Sequence, residues 1–400
     1  MRYLGLIAFL LLPMTPILAS SSTALATQLA RHLFLQSPDQ RVWQSIVEQK
    51  KLDIAHAYIP QNPELRLDIT HSDSNTQPSW GSDFEWTQPL MWGNRHAILT
   101  QDATAQLAVT LHHIRIAQIN RYADILQTIV DYDISRQSWG LLHQRMPQFN
   151  DLIRFAQSRP QRSIQEQVDV AILTGFLHEL SLALHQRHTA MTDAKLAIHQ
   201  WGDFTWQGAI QRPALPHQLP TINWSDDPQW SYWQPYRNQL ETSLKKWQSL
   251  NDPSISLMIK SSVPFSKNNG GSTVGIGFIV MPNWHHQTKG QLATTQVALD
   301  SVVDQEARAR QSILRDQQTT WHDYESAMWV LKEAGYPSLR ATTRSLNIAL
   351  QGFRRGLVSA VSVVELGRLL MQQEDRYIQA LHNAHRAHIT WGRYQGHGVE

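Results

Sequence analysis

The chain has 400 residues, a formal net charge of +2 and no cysteine. Without thiols it cannot form disulfides, thiolate metal centres, cysteine nucleophiles or a lipidated N-terminal cysteine. Its near-neutral balance and scattered basic residues argue against nucleic acid as a partner.

The chain opens with Arg2 and the apolar run Leu4 to Leu12, followed by Pro13, Pro16 and small residues. This is the pattern of a secretory signal peptide. Ala24-Leu25-Ala26 is the expected cleavage site, with Ala19 as a second possibility, so residues 1–26 are assigned to the leader. No other stretch approaches about 18 apolar residues, so no transmembrane helix is expected after processing.

Residues 27–201 read as the first copy of a duplicated plan. It has a short helix over about 40–58, a hairpin over 62–92, and long helical stretches over 94–159 and 163–201. The first strand alternates Leu65, Leu67 and Ile69 with Glu64, Arg66, Asp68 and Thr70. The second alternates Phe84, Trp86, Leu90 and Trp92 with Asp83, Glu85 and Thr87, broken by Gln88 on the apolar side. Successive strand residues point to opposite faces, so each strand has one greasy and one wet side. Residues 72–79 supply a polar loop between them. Pro147 should kink or break the long helical stretch, and Pro160 marks the break before the return helix.

Residues 202–229 carry Pro, Trp and Asp without periodicity and read as a connecting segment. Residues 230–400 repeat the plan, with a helix over about 232–250, a hairpin over 252–284, and long helices over 287–355 and 359–394. Here Ile255, Leu257, Ile259, Val263 and Phe265 alternate with Ser254, Ser256, Lys260 and Ser262. Val274, Ile276, Phe278 and Val280 alternate with Thr273, Gly275 and Gly277. Residues 267–271, KNNGG, are strong turn chemistry. Pro337 is the counterpart of Pro147. The helices keep a 3-4 apolar rhythm, as at Leu366, Leu370, Tyr377, Ala380, Ala384, Ala387 and Trp391, the pattern of coiled-coil packing. A helix of about 60 residues would be roughly 90 Å long, more than a compact domain needs.

Strands of about ten residues match a tilted transmembrane β-strand. Hydrocarbon cannot satisfy a free sheet edge, so membrane strands must close into a barrel, and single-chain barrels need about eight strands. Four strands per chain therefore imply a symmetric oligomer with a channel on its axis.

Several segments carry a family resemblance. They are NPELRLDI (62–69), WTQPLMWGNRHA (86–97), GFIVMPNWHHQTKGQLATTQVAL (277–299) and FRRGLVSAVSVVELGRLL (353–370). In this order and spacing the chain resembles the TolC family of outer membrane efflux ducts, in particular its CzcC-like heavy-metal branch. Trp284-His285-His286 and the glycine-free first tip RPQRSIQEQVDV depart from the family pattern. The resemblance implies a mainly α fold with β. A long coiled-coil helical barrel would stand in the periplasm, and four strands per chain would close a twelve-stranded barrel in the outer membrane as a homotrimer. It implies a periplasmic adaptor (membrane fusion protein) and an inner-membrane RND-type transporter as partners, with outer membrane lipid around the strands.

Under that resemblance the adaptor-docking tips would be Pro160, Arg162 and Ser163 in the first copy, and Arg355, Gly356, Leu357, Val358 and Ser359 in the second. Gly356 permits a turn, Leu357 and Val358 form an exposed apolar pair that could meet the adaptor, and Ser359 suits a helix N-cap. Glu365 is a candidate for a pore-narrowing acidic ring. Asp169 is placed with it at the constriction, in a possible polar link to Arg355 that holds the pore closed. Trp80, Trp86, Trp92 and Trp284 are candidates for an aromatic girdle, since indole favours membrane interfaces.

No catalytic spacing is present, so no enzyme activity is expected. No cofactor and no resident metal are expected either. The chain has 19 histidines, including His178, His185 and His188 on one helix and His382, His385 and His388 on another. Imidazole binds transition metals, but a duct must release its cargo, so a solvated His-rich face is the preferred reading. The expected function is a passive duct of a tripartite efflux pump, exporting heavy-metal cations. The alternatives are the duct of a type I protein secretion system and, in another class, a soluble periplasmic helical interaction protein.

Overall fold

The structure is a computed structural model that describes residues 19–57, 62–74, 77–90, 94–158, 163–204, 224, 227–250, 252–264, 272–281 and 288–395. The signal run Leu4–Leu12 and most of the connecting segment lie outside these residues, as does the loop at 267–271. The described chain is mainly helical with one small antiparallel sheet. It divides into two compact units, one of residues 1–40, 117–227 and 313–400 and the other of residues 41–116 and 228–312.

The second unit holds the sheet. Strands β1 (Glu64–Ser74), β2 (Gln77–Leu90), β3 (Ser254–Pro264) and β4 (Thr273–Met281) pair in sequence order, every neighbour antiparallel. The two hairpins, far apart in sequence, therefore join through β2 and β3. The loop expected over 72–79 is mostly strand instead, because pairing continues to Ser74↔Gln77. Polar residues suit a turn, but a strand with a wet face carries them too.

Helices α2 (Asp39–His56), α6 (Pro228–Ser231) and α7 (Trp233–Leu250) belong to the same unit almost entirely. Buried Asp102, on α3 (Arg95–His143), accepts from Lys246 at 2.8 Å and Ser243 at 2.6 Å, both on α7. At the start of α3, Arg95 donates to the carbonyls of Ser249 (2.9 Å) and Asp252 (2.5 Å). These bonds tie the end of α7, where β3 begins, to the helix that follows β2.

The other unit is built of helix pairs. The long helix expected over 94–159 is two helices, α3 and α4 (Met146–Gln157), broken at residues 144–145. Pro147 sits in the first turn of α4, where its missing N–H costs nothing, so the break falls just before it. In the second copy α8 (Lys289–Trp329) passes through a π-helical segment, Val330–Gly335, into α9 (Tyr336–Arg354). Pro337 again lies in a first turn. A Cβ on Gly335 would meet the Val330 carbonyl at 2.8 Å, so the widened turn requires glycine there. Helices α5 (Ile164–His199) and α10 (Ala360–Tyr394) are the return helices.

The core of this unit is a stripe where the end of α3 meets α4, α5, α9 and α10. Leu142, Phe149, Leu152, Leu173, Phe176, Leu180, Leu346, Phe353, Val363 and Leu370 are buried together. Phe149 and Phe176 meet edge-on at 5.0 Å, and Gly367 presses against both rings. The 3-4 rhythm of α10 is broken at one point: Glu374, in step with Leu370 and Tyr377, is 0% exposed. An additional helix, α1 (Ala19–Gln36), precedes the first helix that the sequence suggested.

By length and composition, α5 is apolar enough to cross a membrane. An unbroken apolar run is the pattern by which a membrane helix is ordinarily seen in a sequence, and Glu166, Asp169, Glu179 and Arg187 keep α5 from being one. Its outward Leu182 and Leu196 are exposed in the single chain.

Candidate functional site

The sheet register settles which side chains share a face. Leu65, Leu67 and Ile69 stand opposite Trp86, Phe84 and Ser82. Trp86 stands opposite Ile259, Gln88 opposite Leu257, and Leu90 opposite Ile255. Ile255, Leu257 and Ile259 then face Val280, Phe278 and Ile276. One face of all four strands is therefore apolar, and it is bare. The edge-strand residues Ile69, Ile276 and Phe278 are 66%, 74% and 68% exposed. Strands β1 and β4 also end the sheet, and among the described residues one side of each has no strand partner.

The opposite face carries Glu64, Arg66, Asp68, Asp83, Glu85 and Lys260. Arg66 bonds Asp68 at 2.8 Å and stands across from Glu85, which in turn faces Lys260. Asp68 stands directly across from Asp83, a like-charge pair that the sheet itself does not favour. Four carboxylates against two bases leave this face acidic.

Trp80 is on the apolar face of β2, exposed, with His71 packed on it at 4.4 Å. Trp86 is half-buried in the middle of the same face. Trp92 and Trp284 lie outside the described residues.

Of the first tip, Pro160 and Arg162 lie outside the described residues, and Ser163 is the N-cap of α5. Its hydroxyl accepts the Glu166 N–H (3.2 Å), while the Glu166 carboxylate accepts the Ser163 N–H (2.9 Å). This reciprocal cap starts α5 where the sequence placed a helix start. In the second copy Gly356 has a φ of +76°, the left-handed turn that ends α9. The Leu357 N–H reaches back to the Gly352 carbonyl (2.9 Å), and the Gly356 N–H to that of Phe353 (3.0 Å). Arg355 caps α9 through its own N–H. Ser359 caps α10 by accepting from the Ser362 N–H at 3.3 Å. Leu357 is 77% exposed. Val358 is not the second half of an exposed pair: it is half-buried against the core and packs on Gly352.

Glu365 is exposed on α10 and lines a groove of about 320 Å³ with Ile172, Phe176, Glu179, Val364 and Arg368. Asp169 accepts from Gln165 of its own helix at 3.5 Å. The ion pair that joins α5 to α10 here is a different one, Glu179–Arg368, bidentate at 2.5 and 3.0 Å. The hydrogen bonds from Arg368 hold the Glu179 carboxyl below its usual range. Both side chains are half-exposed, so the pair orients the helices more than it stabilises them.

The sequence reading missed two polar links. Glu374 is bonded to Arg145 and lies 3.8 Å from Arg187. Arg187 also holds Asp375 at 2.6 Å and the Ser138 carbonyl at 3.0 Å. Burial pushes the Glu374 carboxyl up, against the pull of the two guanidiniums. The signal was a carboxylate sitting in an apolar stripe. The second link is His382 to Asp131 at 3.0 Å; that hydrogen bond raises the imidazole above its ordinary value. Among the described residues no group of three or more His, Cys, Asp or Glu is arranged to hold a metal. His178, His185 and His188 are exposed, His385 is buried, and burial lowers His388.

No family model and no curated protein matches the chain. Solved structures do. A membrane protein from Pseudomonas aeruginosa superposes with a TM-score of 0.76 at 13% identity, covering 92% of this chain and 93% of that one. The outer membrane channel OprN gives 0.75 at 13% identity over 96% and 92%. The Neisseria gonorrhoeae MtrE outer membrane channel, in its open state, gives 0.70 at 12% identity over 94% and 89%. The chain thus has the fold of outer membrane channel proteins along nearly its whole length.

Proposed function

We propose that three copies of this chain close their sheets into one barrel in the outer membrane and their helices into a duct across the periplasm. The observation that carries this reading is a four-stranded sheet with a bare apolar face and two open edges. Water does not favour that face, and a bilayer does not tolerate those edges. Copies of the same chain satisfy both demands, with the apolar face toward lipid and the acidic face toward a water-filled lumen. The likeness to OprN and MtrE, described as outer membrane channels, supports the same reading.

The duct is passive and takes its energy from elsewhere. A periplasmic adaptor docks on the turns near Ser163 and Gly356, where Leu357 projects, and an inner-membrane RND-type transporter feeds it. The cargo is heavy-metal cations, supported by the CzcC-like segments and by the acidic polar face of the sheet. Rings of carboxylate favour cations over anions. Glu365 contributes a further carboxylate from each copy, and Asp169 adds another on the helix that follows the first tip.

Detergent-extracted protein in a planar bilayer tests this. A stepwise conductance is expected, and under a salt gradient its reversal potential favours cations. Asp83→Asn with Glu85→Gln lowers that preference without removing the steps. Absence of steps, together with recovery of the chain in the osmotic-shock fluid, would favour the soluble interaction protein instead.

A further inference from the structure

The small-x-small signal at Ala24-Leu25-Ala26 lies inside a helix that the fold uses. Helix α1 runs from Ala19 to Gln36, and its inward stripe is Ala26, Ala30, Leu33 and Phe34, spaced by three or four. Ala26 is 1% exposed and Ala30 and Leu33 are 0% exposed. The Phe34 ring meets Tyr122 edge-on at 6.2 Å. The Tyr122 hydroxyl donates to the carbonyl of Thr27 at 3.4 Å. Leu33 fits so closely over Gly202 that a Cβ there would approach it to 3.2 Å. Beyond the helix, Asp39 pairs with Arg121 at 2.5 Å. Helix α1 is therefore anchored to α3 from both ends of this stretch.

Cutting after Ala26 would remove Ala26 from the stripe and shorten α1 to Thr27–Gln36. It would also place a charged ammonium on Thr27, the residue whose carbonyl receives Tyr122. A helix that short holds poorly by itself.

We infer that the leader is removed at the Ala19–Ser20 bond, leaving α1 in the mature protein. The apolar run ends at Leu12, and Pro13 and Pro16 follow it in the sequence. Ala19 follows these prolines and supplies the small residue next to the cut, with the aliphatic Ile17 in place of the first small residue of an A-x-A site. Ser20, Ser21, Ser22 and Thr23 then open the mature chain with residue types that favour a helix start. The step is hydrolysis by a membrane-bound leader peptidase. Water adds across the amide, Ala19 keeps the new carboxylate and Ser20 the new amine.

Intact-mass measurement and N-terminal peptide sequencing of the chain purified from the cell envelope decide the matter. A mature chain that begins at Ser20 is expected. A start at Thr27, or retention of residues 1–19, overturns the inference. Pulse-labelling of Ala19→Arg and Ala26→Arg gives a readout that does not depend on folding. Ala19→Arg accumulates precursor, whereas Ala26→Arg is processed at the wild-type rate; the reverse pattern overturns the assignment. These readings concern the N-terminus alone, so they stand or fall separately from pore formation.

Discussion

Two regions of this chain are equally greasy and have opposite fates. Where α4, α5, α9 and α10 meet, Phe149, Leu152, Leu173, Phe176 and Leu346 are each at most 1% exposed. On the sheet, Leu65, Leu67, Ile69, Val274, Ile276 and Phe278 are all more than 60% exposed. The difference is periodicity. A 3-4 spacing gives each helix a stripe that other helices of the same chain can cover. A period of two gives the sheet a whole face, and nothing among the described residues covers it. The stripe between the helices is filled by side chains of one polypeptide, while the apolar face of the sheet stays uncovered among the described residues.

Variants that exchange these roles sharpen the contrast. The largest effect is expected from Ile276→Arg. Arginine on a lipid-facing strand near the bilayer midplane costs about 2–4 kcal/mol per copy, and a closed oligomer pays it in every copy. The variant should be lost from the outer membrane fraction while its helical circular dichroism persists. If the variant inserts normally, this face does not meet lipid. Next comes Phe176→Ala, which empties the helical core and should cost about 3–5 kcal/mol. Denaturant melting of the helical signal measures it, and membrane targeting of the folded fraction should be unchanged.

Gly367→Ala probes the same core by overfilling. A Cβ there would approach the Phe176 ring to 2.7 Å, so about 1–3 kcal/mol is expected in the same assay. The smallest effect belongs to Asp131→Asn. Its hydrogen bond raises His382, so the pair's contribution is full below the ordinary imidazole value and fades as pH rises through the raised one. Both side chains are about a third exposed, which holds the loss below about 1 kcal/mol. The melting gap between wild type and variant should be wider at pH 5.5 than at pH 8.5; equal gaps would mean that the pair does not titrate with folding.

The same contrast explains what the sequence made legible. The four strands were readable because alternation survives along each one, and the observed register keeps the expected apolar residues that are described, from Leu65 to Val280, on one face; Trp92 and Phe265 lie outside the described residues. Long helices were readable from their rhythm, and the starts of α5 and α10 from Ser163 and Ser359. Legibility failed where a local signal had two meanings. Polar residues 72–74 and 77–79 looked like a loop and are strand. Pro147 and Pro337 did mark an interruption in each long helix, which falls just before each proline and leaves it in the first turn of the next helix. Val358 looked exposed beside Leu357, yet the backward turn at Gly356 folds it onto Gly352. The Glu374 cluster was hidden because its partners, Arg145 and Arg187, lie on distant elements and share no spacing with it.

The claim at the centre is that one chain's sheet is a fraction of a barrel. The most direct test is the protein mass of the detergent-extracted particle, measured by light scattering with the detergent contribution subtracted. Three chains per particle are expected, and Ile276→Arg should prevent that assembly. A particle of one chain, stable without detergent, would contradict the account.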